Sequence, residues 1–144
     1  MEEQIIKNII QIAERINQAA MKNQVKEIET LINEINISEQ MGIHSFLDIR
    51  GLETITNNKD ILNIHPGVKE HVIWLYFCKV EWSDHNFSEL IRIYREEKYL
   101  ALESRIVSAL KEDEVNENQI GKIQEVFNSK EIEKQLKKWN ERRM

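Results

Sequence analysis

The hydrophobic residues recur along most of the chain at the spacing of one helix face. In the first segment isoleucines follow one another at intervals of three or four residues, at positions 5, 9, 12 and 16. This is the period of an amphipathic helix. The chain contains one proline and four glycines, so residues that break helices are scarce. The pattern therefore predicts an all-α fold.

The same periodicity predicts about seven or eight helices joined by short turns. Their approximate ranges are 2–21, 23–36, 38–49, 67–82, 84–97, 99–110, 120–127 and 132–139. Two capping boxes are predicted from residue spacing, Asn86 with Glu89 and Asn128 with Glu131. Helices of this length with short connections favour an irregular bundle or a short stack of helical hairpins, and HEAT-like packing is one form of such a stack.

The segment 50–66 fits neither the helical nor the strand period. Gly51, the Asn57-Asn58 pair and Pro66 interrupt its hydrophobic pattern. The turn-forming residues at 57–60 leave two structures open for residues 52–64, a small hairpin around these residues or a short helix after Lys59. Pro66 itself suits the first position of the helix that follows.

The length of the chain predicts one domain over residues 1–144. It has 144 residues, of which 41% are hydrophobic and 31% charged. This is the usual size of one compact domain, and the apolar content is sufficient for one core. The segment 67–82 is apolar nearly all round, so it is expected to be the central, most buried helix.

Compartment is predicted from the single cysteine and from the absence of targeting patterns in the sequence. Cys78 has no partner for an internal disulfide and is expected to be an inert core thiol, which favours a reducing compartment. The acidic start, Glu2-Glu3, is unlike a secretory signal. The longest apolar run, 72–78, is too short to cross a bilayer. We expect a cytoplasmic protein, and its 22 isoleucines and 13 asparagines favour a bacterial or phage source.

Charge is distributed unevenly along the chain. The net charge is −5, but residues 134–144 carry five basic side chains and one acidic one, a local +4 that leaves −9 on the rest. Basic residues at the end of a helix interact favourably with its dipole, and this structural role needs no ligand. The alternative is a helical scaffold that contacts nucleic acid through this basic tail, although an acidic body would repel phosphates.

The acidic body favours a basic protein partner, because complementary charge steers association. In size, charge and compartment the chain is similar to acidic helical proteins that neutralise basic nuclease toxins. The most concrete hypothesis is a non-enzymatic protein-binding module, such as a bacterial toxin-neutralising immunity protein. The predicted partner-binding residues are aromatic or acidic: Trp82, Asp84, Tyr94, Glu96, Glu97, Glu112, Asp113 and Glu114.

An enzyme is the alternative hypothesis. His71, Asp84 and His85 are the candidates for a metal-dependent or acid–base site, provided that the loop at 83–86 folds back past the preceding helix. His71 and Cys78 share a helix face but are two turns apart, about 10.5 Å along the axis, too far to share a metal. The phosphate-binding and nucleophile-elbow glycine motifs do not occur. The sequence therefore predicts no cofactor, no metal and no catalytic residue.

Overall fold

A computed structural model describes residues 2–58, 61 and 64–144, with the side chains of Glu2 and Ile37 excepted. Over these residues the chain is all-α, as the sequence predicts, and contains no strand. The helices are α1 (Glu2–Met21), α2 (Val25–Asn33), α3 (Ile37–Ile43), α4 (Ile49–Asn57), α5 (Pro66–Lys79), α6 (Asp84–Glu97), α7 (Leu100–Lys111), α8 (Glu117–Val126) and α9 (Lys130–Arg142). A 3-10 turn, His44–Phe46, follows α3.

Most predicted helices are confirmed, and capping explains where their ends differ. The helices predicted at 2–21 and 84–97 are α1 and α6. The one predicted at 23–36 ends at Asn33, because Asn36 caps a new helix by accepting a hydrogen bond from the Glu39 N–H. The two predicted capping boxes are wrong. Ser83 caps α6 and Ser129 caps α9, while the capping box lies at Asn116 and Gln119 on α8.

Of the two structures left open for 52–64, the hairpin does not form, because α4 occupies Ile49–Asn57. Its start is fixed by Asp48, whose Oδ1 accepts a hydrogen bond from the Gly51 N–H at 2.9 Å. Leu52 and Ile55 are almost completely buried and lie one turn apart on the inner face. The alternative short helix after Lys59 falls largely on residues 59, 60, 62 and 63, which lie outside the described residues.

The contacts divide the chain into two compact units, Met1–Lys79 and Val80–Met144. The single domain predicted from chain length stays a prediction. In the first unit α1 and α2 form a hairpin, and α4 packs against both α1 and α5. The turn between α1 and α2 contains Asn23 in the left-handed region, with φ 57°, a conformation that asparagine tolerates better than most residues.

Asn17 connects α1 to the segment that precedes α4. Its Nδ2 donates to the Phe46 carbonyl at 3.2 Å, and its Oδ1 accepts from the Asp48 N–H at 3.0 Å. The backbone of Gly51 lies close to this amide, because a Cβ added to Gly51 would be 2.7 Å from the Asn17 Oδ1. The lack of a side chain at Gly51 therefore allows α4 to approach α1 closely.

Replacing Gly51 by alanine is expected to lower the free energy of unfolding by about 1 kcal/mol, because the added methyl group displaces the Asn17 amide from its two hydrogen bonds. In an Asn17→Ala background the same change should be neutral or stabilising, since alanine favours helix. Urea unfolding of the four proteins measures this difference. If Gly51→Ala changes the free energy of unfolding equally in both backgrounds, the close approach of Gly51 to Asn17 does not explain its effect.

The helix α5 is only partly buried, and the prediction of a core cysteine is wrong. Val72, Tyr76 and Phe77 are buried on one side of α5, whereas His71 and Cys78 are exposed. At 100° per residue, Cys78 falls opposite the centre of the buried face. An all-round apolar sequence does not show which side faces outward, so the sequence alone places this thiol incorrectly.

In the second unit α6 packs against α8, and α7 packs against α9. The first residue of α6, Asp84, is hydrogen-bonded to Gln119 near the start of α8, and Arg95 near the end of α6 pairs with Glu125 near the end of α8. The two helices therefore run in the same direction. Arg142 at the end of α9 likewise donates to the Leu110 carbonyl at the end of α7.

Candidate functional site

A groove of about 590 Å³ lies between α6 and α8 in the second unit. The residues that line it from α6 are Asp84, Phe87, Ser88, Ile91, Arg92, Arg95 and Glu96. Those from α8 are Asn118, Gln119 and Lys122. The positions on α6 recur at three- and four-residue intervals, so they form one continuous side of that helix.

The groove has an apolar floor between polar rims. Phe87 and Ile91 are largely buried and lie one helical turn apart, so they form the floor. Ser88, Arg92 and Arg95 are exposed and form the rim on α6. Such a combination, an apolar surface with a few placed polar groups, is typical of binding sites in proteins.

A hydrogen-bond network fixes one end of the groove. The buried side chain of Gln119 accepts from Trp82 Nε1 at 2.9 Å and donates to Asp84 Oδ1 at 2.8 Å. Asn116 Nδ2 donates to the same carboxylate oxygen at 3.3 Å. Asp84 therefore serves to join α6 to α8, and two amide groups occupy one of its oxygens.

Ion pairs surround the other end. Glu125 lies 3.2 Å from Arg95 Nη2 and 3.6 Å from Lys122 Nζ, so one carboxylate serves two cations. Arg92 pairs with Glu89 at 2.7 Å and lies 3.8 Å from Glu96. Of these pairs Arg95–Glu125 joins α6 to α8, whereas the others lie within one helix.

The predicted partner-binding residues on α6 have different environments. Glu96 lies on the groove rim, and Glu97 is exposed at the end of the helix. Tyr94 is only 8% exposed, and its ring packs on Phe127 with centroids 4.3 Å apart. Burial, with a smaller contribution from Glu103, raises the pKa of the Tyr94 hydroxyl above its ordinary value. Tyr94 thus belongs to the interior of this unit.

The acidic turn after α7 is largely neutralised by arginines of the same unit. Asp113 Oδ1 lies 2.7 Å from Arg143, and the hydrogen bond from this guanidinium lowers the pKa of the Asp113 carboxyl. Glu114 lies 3.3 Å from Arg105. Glu112 is exposed at the C-cap of α7.

The structure does not gather the predicted acidic residues at one place. Asp84 and the turn 112–114 lie at the end of the unit where α6 and α8 begin. Glu96 is twelve residues further along α6, about 18 Å away along the helix axis. The predicted acidic surface is therefore divided between two ends of α6.

The two arginines of the basic tail hold α9 in place. Arg142 Nη2 donates to the Leu110 carbonyl at 2.9 Å. Arg143 lies over the Trp139 ring, 3.6 Å from its centroid, while it also pairs with Asp113. These contacts agree with the structural interpretation of the tail, in which its charge stabilises the helix ends.

The residues of the enzyme hypothesis belong to different units. His71 lies on α5 of the first unit, whereas Asp84 and His85 lie on α6 of the second. His71 instead lies against His44, with ring centroids 4.0 Å apart and the rings tilted by 45°. Across residues 2–58, 61 and 64–144, no group of three or more His, Cys, Asp or Glu side chains is arranged to hold a metal ion.

His44 is a titratable residue that the sequence reasoning missed. It lies in the 3-10 turn after α3, is 9% exposed, and its Nδ1 has no hydrogen-bond partner among the described residues. Burial, followed by the nearby charge of His71, lowers the pKa of His44 from 6.5 to about 4. Nothing in the sequence signals this pair, because 27 residues separate its members.

The cations of the groove were also missed. Arg92 and Arg95 are spaced by three residues next to the apolar positions Phe87 and Ile91, and this was the available signal. It is not specific, because exposed arginines beside an apolar stripe are common on amphipathic helices. The sequence does not show that Lys122 of α8 lies across the groove from these arginines.

No protein family matches the chain, and neither a curated protein nor a solved structure matches it with significance. None of the described helices has the length and apolar character needed to span a membrane. The proposals below accordingly rest on the chain's own residues.

Proposed function

We propose that this protein is a binding module that holds a segment of another protein in the groove between α6 and α8. The observation that carries the proposal is the groove itself: an apolar floor of Phe87 and Ile91 between rims of charged and amide side chains. Grooves of this kind bind peptide segments by burying their apolar side chains, while rim groups fix their orientation.

The dimensions of the groove suit a short segment of polypeptide. Asp84 and Arg95, which mark its two ends on α6, are eleven residues apart, about 16 Å along the helix axis. This length corresponds to roughly five residues of extended chain or three turns of helix. Because the hydrogen bond between Gln119 and Asp84 joins α8 to α6 at one end of the groove, binding requires little ordering of that end.

A bulky residue at Ser88 is expected to block the groove. Ser88 is exposed on the α6 rim, so Ser88→Trp fills the groove without altering the core. Peptides selected on the wild-type chain from a random library displayed on phage should lose at least tenfold in affinity for Ser88→Trp, about 1.4 kcal/mol. Fluorescence polarisation of the labelled peptides measures the loss.

Ser108→Trp is the matched control, because Ser108 is also an exposed serine but lies on α7, outside the groove. This variant should bind the selected peptides like the wild type, and circular dichroism should show that both variants are folded. Equal affinity of the peptides for both tryptophan variants, or no enrichment of any peptide, would overturn the proposed function.

A further inference from the structure

We infer that the imidazole rings of His44 and His71 form a binding site for a divalent transition-metal cation. The pair belongs to the first unit, whereas the groove between α6 and α8 belongs to the second, so this site goes beyond the proposed function. Three features of the pair lead to it: the contact between the rings, a buried nitrogen without a partner, and the hydrogen bonds that hold the turn carrying His44.

The two rings lie close enough to bind one ion. Their centroids are 4.0 Å apart and their planes are tilted by 45°. Imidazole nitrogens bind such ions at about 2.0–2.1 Å, so two rings that bind one ion at a right angle have centroids about 4.5 Å apart. The side chain of His71 is exposed and can rotate about its side-chain bonds to make this small adjustment.

His44 has a polar atom that the described part of the chain does not engage. Its side chain is 9% exposed, and its buried Nδ1 has no hydrogen-bond partner among the described residues. Buried polar atoms of folded proteins nearly always have a partner, because an unsatisfied one destabilises the fold. A cation bound by this nitrogen and by His71 provides such a partner.

The ring of His44 is also in the protonation state that binds a metal ion. Metal ions bind neutral imidazole, and a proton on the ring competes with them. Burial, followed by the charge of His71, lowers the pKa of His44 from 6.5 to about 4. At neutral pH a cation therefore meets an unprotonated His44.

Hydrogen bonds on both sides hold the turn that carries His44. Before the turn, the Gln40 side chain of α3 accepts from the His65 N–H at 3.3 Å, and His65 directly precedes α5. Within the turn, the Phe46 carbonyl accepts from Asn17 Nδ2 at 3.2 Å. The first of these bonds joins α3 to the start of the helix that carries the second histidine. Binding therefore requires little ordering of the chain.

The ligands of this site favour Cu²⁺. Nitrogen ligands bind Cu²⁺ more tightly than Ni²⁺ or Zn²⁺, and Cu²⁺ adopts tetragonal geometry, in which neighbouring ligands meet at right angles. Zn²⁺ prefers the wider angle of a tetrahedron, which places the rings further apart. No group of three or more His, Cys, Asp or Glu side chains among the described residues is arranged to hold a metal. We therefore expect water to fill the other coordination positions.

Isothermal titration of the untagged full chain with CuCl₂ tests the site, after treatment with EDTA and desalting, at pH 7.5 with glycine as a weak competitor. We expect one Cu²⁺ per chain and weaker binding of Ni²⁺ and Zn²⁺. His71→Gln changes an exposed side chain and should lower the affinity for Cu²⁺ at least tenfold. His44→Gln should cause a similar loss. If this buried substitution prevents folding, His71→Gln alone decides the test, with circular dichroism to show that it is folded.

His85→Gln is the matched control, because His85 is also an exposed histidine but lies on α6 of the second unit. It should leave the affinity for Cu²⁺ within about twofold of the wild type. Electron paramagnetic resonance of bound Cu²⁺ should show coupling to imidazole nitrogens in the wild type and in His85→Gln, and weaker coupling in His71→Gln. Absence of binding in competition with glycine, or equal affinities of His71→Gln and His85→Gln, would show that the pair is not a metal site.

Discussion

Acidification from pH 7.5 to pH 5 is expected to lower the free energy of unfolding by about 2 kcal/mol through His44 alone. In the folded chain the pKa of this imidazole is lowered from 6.5 to about 4, because it is buried and lies beside the charge of His71. The unfolded chain takes up a proton near pH 6.5, whereas the folded chain does so only near pH 4. Between these values the unfolded state binds more protons, so stability falls as the pH falls.

The pH range of the effect distinguishes His44 from the carboxyl groups. The pKa values of Asp113 and Glu131 are lowered from 3.8 and 4.5 by hydrogen bonds from Arg143 and Gln135 respectively. A carboxyl with a depressed pKa contributes stability that is present above its unfolded value and is lost only as the pH falls through its folded value. Protonation of these two carboxyl groups therefore lowers stability mainly below pH 5.

Urea unfolding at pH 7.5 and pH 5, followed by circular dichroism, measures this effect. The variant His44→Gln cannot titrate in this range, so most of the difference between the two pH values should disappear. His85→Gln, which removes an exposed histidine at the start of α6, should retain it. A pH dependence that survives in His44→Gln would show that another group is responsible.

Replacing Arg105 by alanine is expected to cost about 3 kcal/mol of unfolding free energy. The Arg105 side chain is only 7% exposed, lies 3.3 Å from Glu114, and covers the Trp82 ring at 4.9 Å from its centroid. Truncation removes a charge contact, a cation–π contact and the packing of a long aliphatic stem together. It also loosens Trp82, which donates to the Gln119 amide at the end of the groove.

Arg105→Lys tests the geometry of this site. It keeps the charge but lacks the planar group that stacks on Trp82, so it should recover only part of the lost stability. Arg92→Ala is the control, because its pairs with Glu89 and Glu96 are exposed and should contribute less than about 1 kcal/mol. Urea unfolding measures the free energy of unfolding of each variant. Similar losses for Arg105→Ala and Arg92→Ala would contradict the role given to burial.

The groove illustrates which parts of a candidate site a sequence reveals. The sequence predicts Asp84 and Glu96 as partner-binding residues, and both line the groove. The prediction rests on their acidity, however, whereas in the structure Asp84 joins α6 to α8. The sequence does not indicate Arg95 and Lys122, because 27 residues separate them and their proximity depends on the two helices lying side by side.

The all-α class and the bounds of α1 and α6 are determined by local properties of the sequence. They follow from the spacing of apolar residues and the scarcity of glycine and proline, which act within a few turns of one helix. Other features of the protein depend on contacts between distant segments. The helix α4 forms in a segment whose structure the sequence left open, and Cys78 faces outward. His44 is buried against His71, and Lys122 lies across the groove from Arg95. Each of these depends on which distant helix covers a given face, and the energy of that choice comes from packing between segments that no local pattern encodes.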